Sequence, residues 1–296
     1  MIVIDYNQTF ISNYMAETRG RPDVEMNIDL LRHMILNQIR KYRTQFTAEF
    51  GEVVIACDNR HYWRREVYPY YKASRKKTRE SSGHDWSSIF DALHQIRTEL
   101  DEYLPYPVID VDGAEADDVI GALAEYSQDN DLDNDQTLFA DPKPFLILSG
   151  DHDFQQLQKF HNVKQWSPIK RRWVKLTGSP QEVLMEHIIT GDKGDGVPNI
   201  LSDDDTFVTE GKRQKPIRKA ILAEWKKQKP EQFVNGEMAS GYVRNRQLVD
   251  LALTPDEIKK GIIDEYKRQQ GKSRQHLLNY FVKFRLKNMM EVLDDF

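Results

Sequence analysis

The chain has 296 residues, of which 39% are apolar and 30% charged, with 13 Tyr, 13 Phe and 5 Trp, enough core-forming material to exclude wholesale disorder. No run approaches the ~18 apolar residues of a membrane span, and the start MIVIDYNQTF has neither the basic n-region nor the long apolar stretch of a secretory signal. The single Cys57 excludes an internal disulfide and a multi-thiolate zinc site, so the expectation is a soluble cytoplasmic protein in a reducing compartment.

Short apolar runs at 2–4, 53–56, 108–111 and 145–148 predict buried strands, and helical periodicity lies between them at 29–42, 86–103 and 116–126. This alternation predicts an α/β fold with a mainly parallel central sheet flanked by helices. Segments 163–166 and 173–176, with Ser167-Pro168 at the turn, predict a hairpin. Beyond residue 180 strand signals fade and basic-faced helical patterns run to Phe296, broken by Pro216, Pro230 and Pro255. Two domains are expected: 1–180 as an α/β core and 181–296 as a helical C-terminal domain.

Each predicted strand is followed by carboxylates: Asp5 after the first, Asp58 after the second, Glu115, Asp117 and Asp118 after the third, Asp151 and Asp153 after the fourth. Asp192 and Asp195 sit in the glycine-rich turn Gly191-Asp192-Lys193-Gly194-Asp195-Gly196-Val197-Pro198. Sites in open α/β sheets form outside the carboxyl ends of the strands, so parallel neighbours would bring these acids to one rim. Clustered carboxylates raise one another's pKa, and unpaired buried charge costs several kcal/mol. Bound divalent cations resolve both problems, and all-oxygen ligands without His or Cys favour two Mg²⁺, with Mn²⁺ as a substitute. Two such ions about 3.5–4 Å apart suit phosphodiester cleavage, one activating water and the other stabilising the leaving oxygen.

The net charge of −5 hides a segregated distribution. Residues 60–79 hold eight basic side chains against the single acid Glu66, interleaved with Tyr62, Trp63, Tyr68, Tyr70 and Tyr71. Residues 210–229 hold eight more against Glu210 and Glu224. Basic stripes beside concentrated acids suit a protein that grips phosphates with one surface and metal ions with another.

Asp5, Cys57-Asp58-Asn59, Glu115-Ala116-Asp117-Asp118, Gly150-Asp151-His152-Asp153-Phe154 and the 191–198 turn together resemble the structure-specific 5′-nuclease (flap endonuclease) family. Tyr62-Trp63-Arg64-Arg65, Tyr70-Tyr71-Lys72, Val163-Lys164-Gln165-Trp166-Ser167-Pro168 and Tyr280-Phe281-Val282-Lys283 bring the resemblance nearer to the phage RNase H type of T-even phages. The resemblance covers essentially the whole chain. It implies a Mg²⁺-dependent 5′→3′ exonuclease and flap endonuclease that removes RNA primers and adjacent DNA in phage replication, in the host cytoplasm and as a monomer. Its implied substrates are branched or nicked duplex DNA and RNA–DNA hybrid with a 5′ end or flap, and a single-strand DNA-binding protein is its implied partner. By position, Asp5, Asp58, Glu115, Asp117, Asp151 and Asp153 would bind the metals or order their waters, with Asp118, Asp192 and Asp195 completing the second ion's surroundings. Arg64 and Lys72 match basic residues that contact the scissile phosphate.

Segment 60–84 would form an arch over the site, mobile without DNA and kept from being one helix by Pro69 and Ser81-Ser82-Gly83. Arg65, Arg75, Lys76 and Lys77 would lie along nucleic acid there, Tyr71 would stack on an unpaired base, and Trp63 is the tryptophan expected to leave the core. The segment after Asp192 resembles the family's helix–turn–helix element, with duplex contacts assigned to Lys212, Arg213, Lys215, Arg218 and Lys219. The chain departs from the family where Leu201-Ser202-Asp203-Asp204-Asp205 replaces a glycine hairpin, so no monovalent-cation site is carried over. It also begins at its first strand, without the preceding residues through which a sliding-clamp contact is expected.

Other readings are disfavoured. A dehalogenase-type phosphatase needs Asp-x-Asp after the first strand, where this chain has Asp5-Tyr6-Asn7; a DNA-binding protein that does not cut would lack some of the ligands; and an RNA-cleaving toxin domain needs neither arch nor helical third. The acidic stretch 129–141 fails as a calcium loop because Asn134 and Ala140 stand where Gly and Glu are required, and it reads as a disordered loop. Cys57 is expected to be a buried core residue, and His152 to point away from the ligands flanking it.

Overall fold

The computed structural model describes residues 1–128 and 142–296, so the acidic stretch 129–141 lies outside the described residues. One six-stranded sheet is built from β1 (Ile2–Asp5), β2 (Val53–Ala56), β3 (Val108–Ile109), β4 (Phe145–Leu148), β5 (Val163–Ser167) and β6 (Arg172–Trp173), in the order β3-β2-β1-β4-β5-β6. The first five are mutually parallel and β6 closes the edge antiparallel to β5, which is the expected hairpin. The central strands are buried along their whole length because helices cover both faces, which is why they read as unbroken apolar runs.

Alternate residues feed two cores. Ile2, Ile4, Val53 and Ile55 pack under α1 (Tyr6–Glu17), α2 (Ile28–Phe50) and α5 (Trp86–Tyr103). Val3, Val54, Ala56 and Ile147 face α6 (Ala116–Tyr126) on the other side. The apolar stripe Leu31, Ile35, Leu36, Ile39, Tyr42, Phe46 and Phe50 runs down α2, whose first amides Asn27 caps. Helix α1 had no clear amphipathic signal; its start is set by Asp5, which ends β1 and accepts the Gln8 amide. Cys57 is buried in the first core.

Two short helices, α3 (Arg64–Val67) and α4 (Ser74–Ser81), follow β2 and are separated at Pro69. The second stops before Gly83, whose φ is +75°. After α7 (Pro180–Thr190), residues 191–218 form no helix: the glycines, prolines and Asp203–205 hold a long loop before α8 (Lys219–Trp225), α9 (Pro230–Phe233) and α10 (Gly236–Val249). A third core joins α7, α9 and α10 through Ile188, Ile189, Phe233 and Tyr242. The remaining helices return to the sheet. Ile262 of α11 (Asp256–Gln269) enters the core under α6. Leu277, Tyr280 and Phe281 of α12 (Leu277–Lys283), Met289 of α13 (Lys287–Met290) and Phe296 enter the core under α1 and α2. No helix among the described residues is long and apolar enough to cross a membrane.

Candidate active site

The carboxyl ends of β1, β2 and β4, the start of α6 and the 191–198 turn open on a common cleft of 710 Å³. Asp5, Asp58, Asp117, Asp151, Asp153, Asp192 and Asp195 line it, and Lys72, Arg75 and Arg79 roof it. The turn carrying Asp192 and Asp195 needs its glycines. Gly191 has φ +66° and a Cβ there would lie 2.3 Å from the Val197 carbonyl oxygen, while Gly196 has φ +74° beneath the Tyr70 carbonyl.

The acids divide by partner. Asp5 is only 8% exposed, accepting the Gln8 amide at 2.9 Å and the Ser149 hydroxyl at 3.1 Å. Burial, reinforced by Asp58 and Asp151, pushes its pKa up to about 7. Asp58 accepts hydrogen bonds from Ala116 N and Asn7 Nδ2, both at 2.7 Å. Asp117 is held well above the ordinary carboxylate range by burial and by Asp151 and Asp153. Asp153 is raised to about 7 by burial, with Asp151 and Asp192 adding to it and His187 opposing. Asp5, Asp58, Asp117 and Asp151 form no ion pair among the described residues, whereas Glu115, Asp118 and Asp195 do.

In that second group, Arg64 is 2% exposed and reaches Glu115 Oε2 at 2.9 Å, Asp118 Oδ2 at 2.7 Å and the Leu248 carbonyl at 2.8 Å. The expectation that Arg64 contacts a scissile phosphate is therefore corrected: its guanidinium is spent inside the protein. Asp118, 0% exposed, also takes the Glu115 amide, the Thr254 hydroxyl and Trp63 Nε1. Burial opposes its charge, but Arg64 and these donors outweigh it and hold its pKa low. Asp118 is thus saturated by protein donors, against the expectation of a metal ligand, and Trp63 belongs to the interior.

Tyr71 is buried, its hydroxyl shared between Asp195 Oδ2 at 2.8 Å and Glu115 Oε2 at 3.1 Å, so it is not the expected stacking platform. Lys72 bonds Glu115 and donates its backbone N–H to the Asp195 carbonyl at 2.7 Å, while Arg75 pairs with Asp195. The roof is seated by Tyr68 and Tyr71 packing on Val197 and Leu248. Arg65, Lys76 and Lys77 are exposed, as are Arg213, Lys215, Arg218 and Lys219. Lys212 is instead tied to Asp203 and Asp205, which gives those acids a structural use in the long loop.

His187, on α7, was not singled out in the sequence. Its Nδ1 lies 3.2 Å from Asp153 Oδ1 and its Nε2 3.4 Å from Asp192 Oδ2. Burial disfavours its charge, but the two carboxylates outweigh that and raise its pKa to about 8. Asp192, against its own burial, is lowered to about 2 by His187 and by the amides of Asp195 and Gly194. His152 does not point away: its ring stands edge-on to His187 with centroids 5.3 Å apart.

Residues 1–191 match the family model described as 5′-3′ exonuclease, N-terminal resolvase-like domain, and residues 178–296 match T4 RNase H, C terminal. Ribonuclease H of Enterobacteria phage T4 is 33% identical over 304 residues, covering 99% of this chain and 95% of that protein. The chain belongs to the 5′–3′ exonuclease family. The chain also shares 30% identity over 147 residues with DNA polymerase I of Chloroflexus aurantiacus, across 50% of this chain and 13% of that protein. Its fold matches the T5 D15 protein co-crystallised with metal ions at a TM-score of 0.60 and 16% identity, over 91% of this chain and 98% of that one. The T5 D15 flap endonuclease in a pseudo-enzyme-product complex with DNA and metal ions gives 0.60 at 15% identity, over 90% and 98%. Membership of the family makes the chain a nuclease, and the acid-lined cleft at the strand ends is where its chemistry is sought.

Proposed function

We propose that the chain is a Mg²⁺-dependent 5′→3′ exonuclease and flap endonuclease that removes RNA primers and adjacent DNA during phage DNA replication. The observation that carries this reading is the group of buried and half-buried acids around the strand ends, Asp5, Asp117 and Asp153, whose raised pKa values mark negative charge that the protein leaves unpaired at Asp5 and Asp117 and only partly offset, by His187, at Asp153. All-oxygen, anionic donors of this kind fit a hard divalent cation. Asp5, Asp58, Asp117, Asp151 and Asp153 would hold the ions, with Asp192, Asp195 and Glu115 around them. Two ions bound there would supply a water of lowered pKa and positive charge for the leaving oxygen.

The rest is done by the chain. Lys72, now bonded to Glu115, and Arg75, bonded to Asp195, stand where a phosphate entering the cleft meets fixed positive charge. Lys72 has φ +57°, a conformation costly for lysine, held by the hydrogen bond its backbone N–H donates to the Asp195 carbonyl. The exposed cations of 65–77 and 213–219 supply the sequence-independent grip on nucleic-acid phosphates. The T4 relative's name, Ribonuclease H, and the T5 relative's DNA complex support an RNA–DNA hybrid and a 5′-flap duplex as substrates.

The test is cleavage of 5′-labelled flap, nicked, gapped and RNA–DNA hybrid duplexes with Mg²⁺. Hydrolysis near the 5′ end by the wild type, with Asp151→Asn binding the flap but not cutting it, is expected. Equal cutting by both proteins would overturn the assignment.

A further inference from the structure

At one side of the cleft the ligand chemistry changes from oxygen alone to nitrogen and oxygen. His152, Asp153 and His187 each offer one ligand atom, and these atoms all lie within 4.8 Å of one another. His187 is only 8% exposed, fixed by its place on α7, whereas His152 stands at the surface and leaves an entry path.

One edge of this cluster already has the spacing of two ligands on a shared ion. Two ligand atoms each about 2.0–2.1 Å from a tetrahedral zinc are separated by roughly 3.3 Å. His187 Nδ1 and Asp153 Oδ1 are 3.2 Å apart. On the far side of the ring, Asp192 Oδ2 faces His187 Nε2 at 3.4 Å, the arrangement by which a carboxylate orients a metal-bound imidazole. Neither histidine has a place in the oxygen-ligand reading of the rim.

We propose that His152, His187 and Asp153 form a nitrogen-containing site for a transition-series divalent cation of the zinc class, distinct in donor set from the Mg²⁺-type rim beside it. Imidazole nitrogen selects zinc-class ions over magnesium, which prefers oxygen ligands and its own water. The inference deepens the proposed function at one residue, because Asp153 belongs to both donor sets. A zinc-class ion here withdraws Asp153 from the neighbouring rim, so the site would act as a metal-selective brake on the nuclease.

The test uses the full chain, stripped of metal and then given excess Mg²⁺, with Zn²⁺ titrated in while the imidazole ¹⁵N resonances are followed. Expected are large shifts at both His152 and His187, complete at one equivalent of Zn²⁺ and not produced by Mg²⁺ alone. His152→Ala, at an exposed position, should keep the wild-type melting temperature while Zn²⁺ affinity measured by calorimetry falls by at least about tenfold. Unmoved histidine resonances, the same shifts with Mg²⁺, or unchanged Zn²⁺ affinity in His152→Ala would each overturn the proposal. None of these readouts requires cleavage, so a failure of the nuclease reading would show separately in the Mg²⁺ flap assay.

Discussion

Acids on the two sides of one cleft are treated oppositely by the fold. On the roof side, Glu115, Asp118 and Asp195 are matched by Arg64, Lys72 and Arg75 and saturated by hydrogen bonds. At the strand ends, Asp5, Asp117 and Asp151 carry no ion pair among the described residues, and burial drives the first two toward protonation. Both groups are carboxylates drawn from the same motifs, Asp117 and Asp118 being neighbours in sequence, and what differs is the cation supply. The lesson is that a paired buried acid is architecture, whereas an unpaired one is a vacancy in charge that a bound cation can complete.

The comparison breaks most visibly at Asp117. Asp117→Asn should lower Mg²⁺-dependent cleavage roughly 10³-fold, about 4 kcal/mol of barrier, yet raise the metal-free melting temperature because an uncompensated charge is gone. Single-turnover kinetics and calorimetry read the two effects. The mirror case is Arg64→Met, which strands Asp118 and leaves Glu115 with Lys72 as its one cation among the described residues. It should destabilise the fold by about 3–5 kcal/mol, seen as a lower urea midpoint.

A pH titration sharpens the same contrast. Asp5 and Asp153 have folded pKa values of about 7, above the ordinary values they regain on unfolding. The folded state therefore binds more protons than the unfolded one between roughly pH 4 and 7, and stability falls as pH rises through that window. Melting temperatures in EDTA should decline from pH 5 to 8, and saturating Mg²⁺ should flatten the decline. A flat metal-free profile would mean that these acids are compensated after all. Smaller still is Tyr71→Phe: losing the hydroxyl shared by Asp195 and Glu115 should cost about 1–2 kcal/mol. Flap affinity should stay within about twofold; a loss near the 1–3 kcal/mol of a stacked base would restore the stacking role. At the periphery, Lys76→Ala should reduce the slope of log Kd against log salt by about one if that side chain neutralises a phosphate.

Much of this site is legible in the sequence, for a physical reason. A parallel sheet delivers every strand's carboxyl end to one edge, so Asp5, Asp58, Asp117, Asp151 and Asp153 could be gathered from strand ends alone. The β5–β6 hairpin was legible from its turn residues, but the order of the six strands was not, since pairing order between distant strands leaves no local mark. Charge runs misled at Arg64, Tyr71 and Trp63, because composition shows that cations and aromatics are present but not that buried acids opposite them will consume them. His187 was invisible for the converse reason: it lies on a helical face of apolar residues, and its relation to Asp153 and Asp192 exists only once α7 packs beside the 3₁₀ turn Asp153–Lys159. The return of α11 to α13 onto the sheet was missed because an amphipathic helix does not declare which core it will join.

The most direct test of the division between paired and unpaired acids is anomalous diffraction from crystals soaked in Mn²⁺. The account predicts peaks among the carboxylates of Asp5, Asp117, Asp151 and Asp153 and none within ligand distance of Asp118. A manganese ion on Asp118, or no peak at the strand ends, would contradict it.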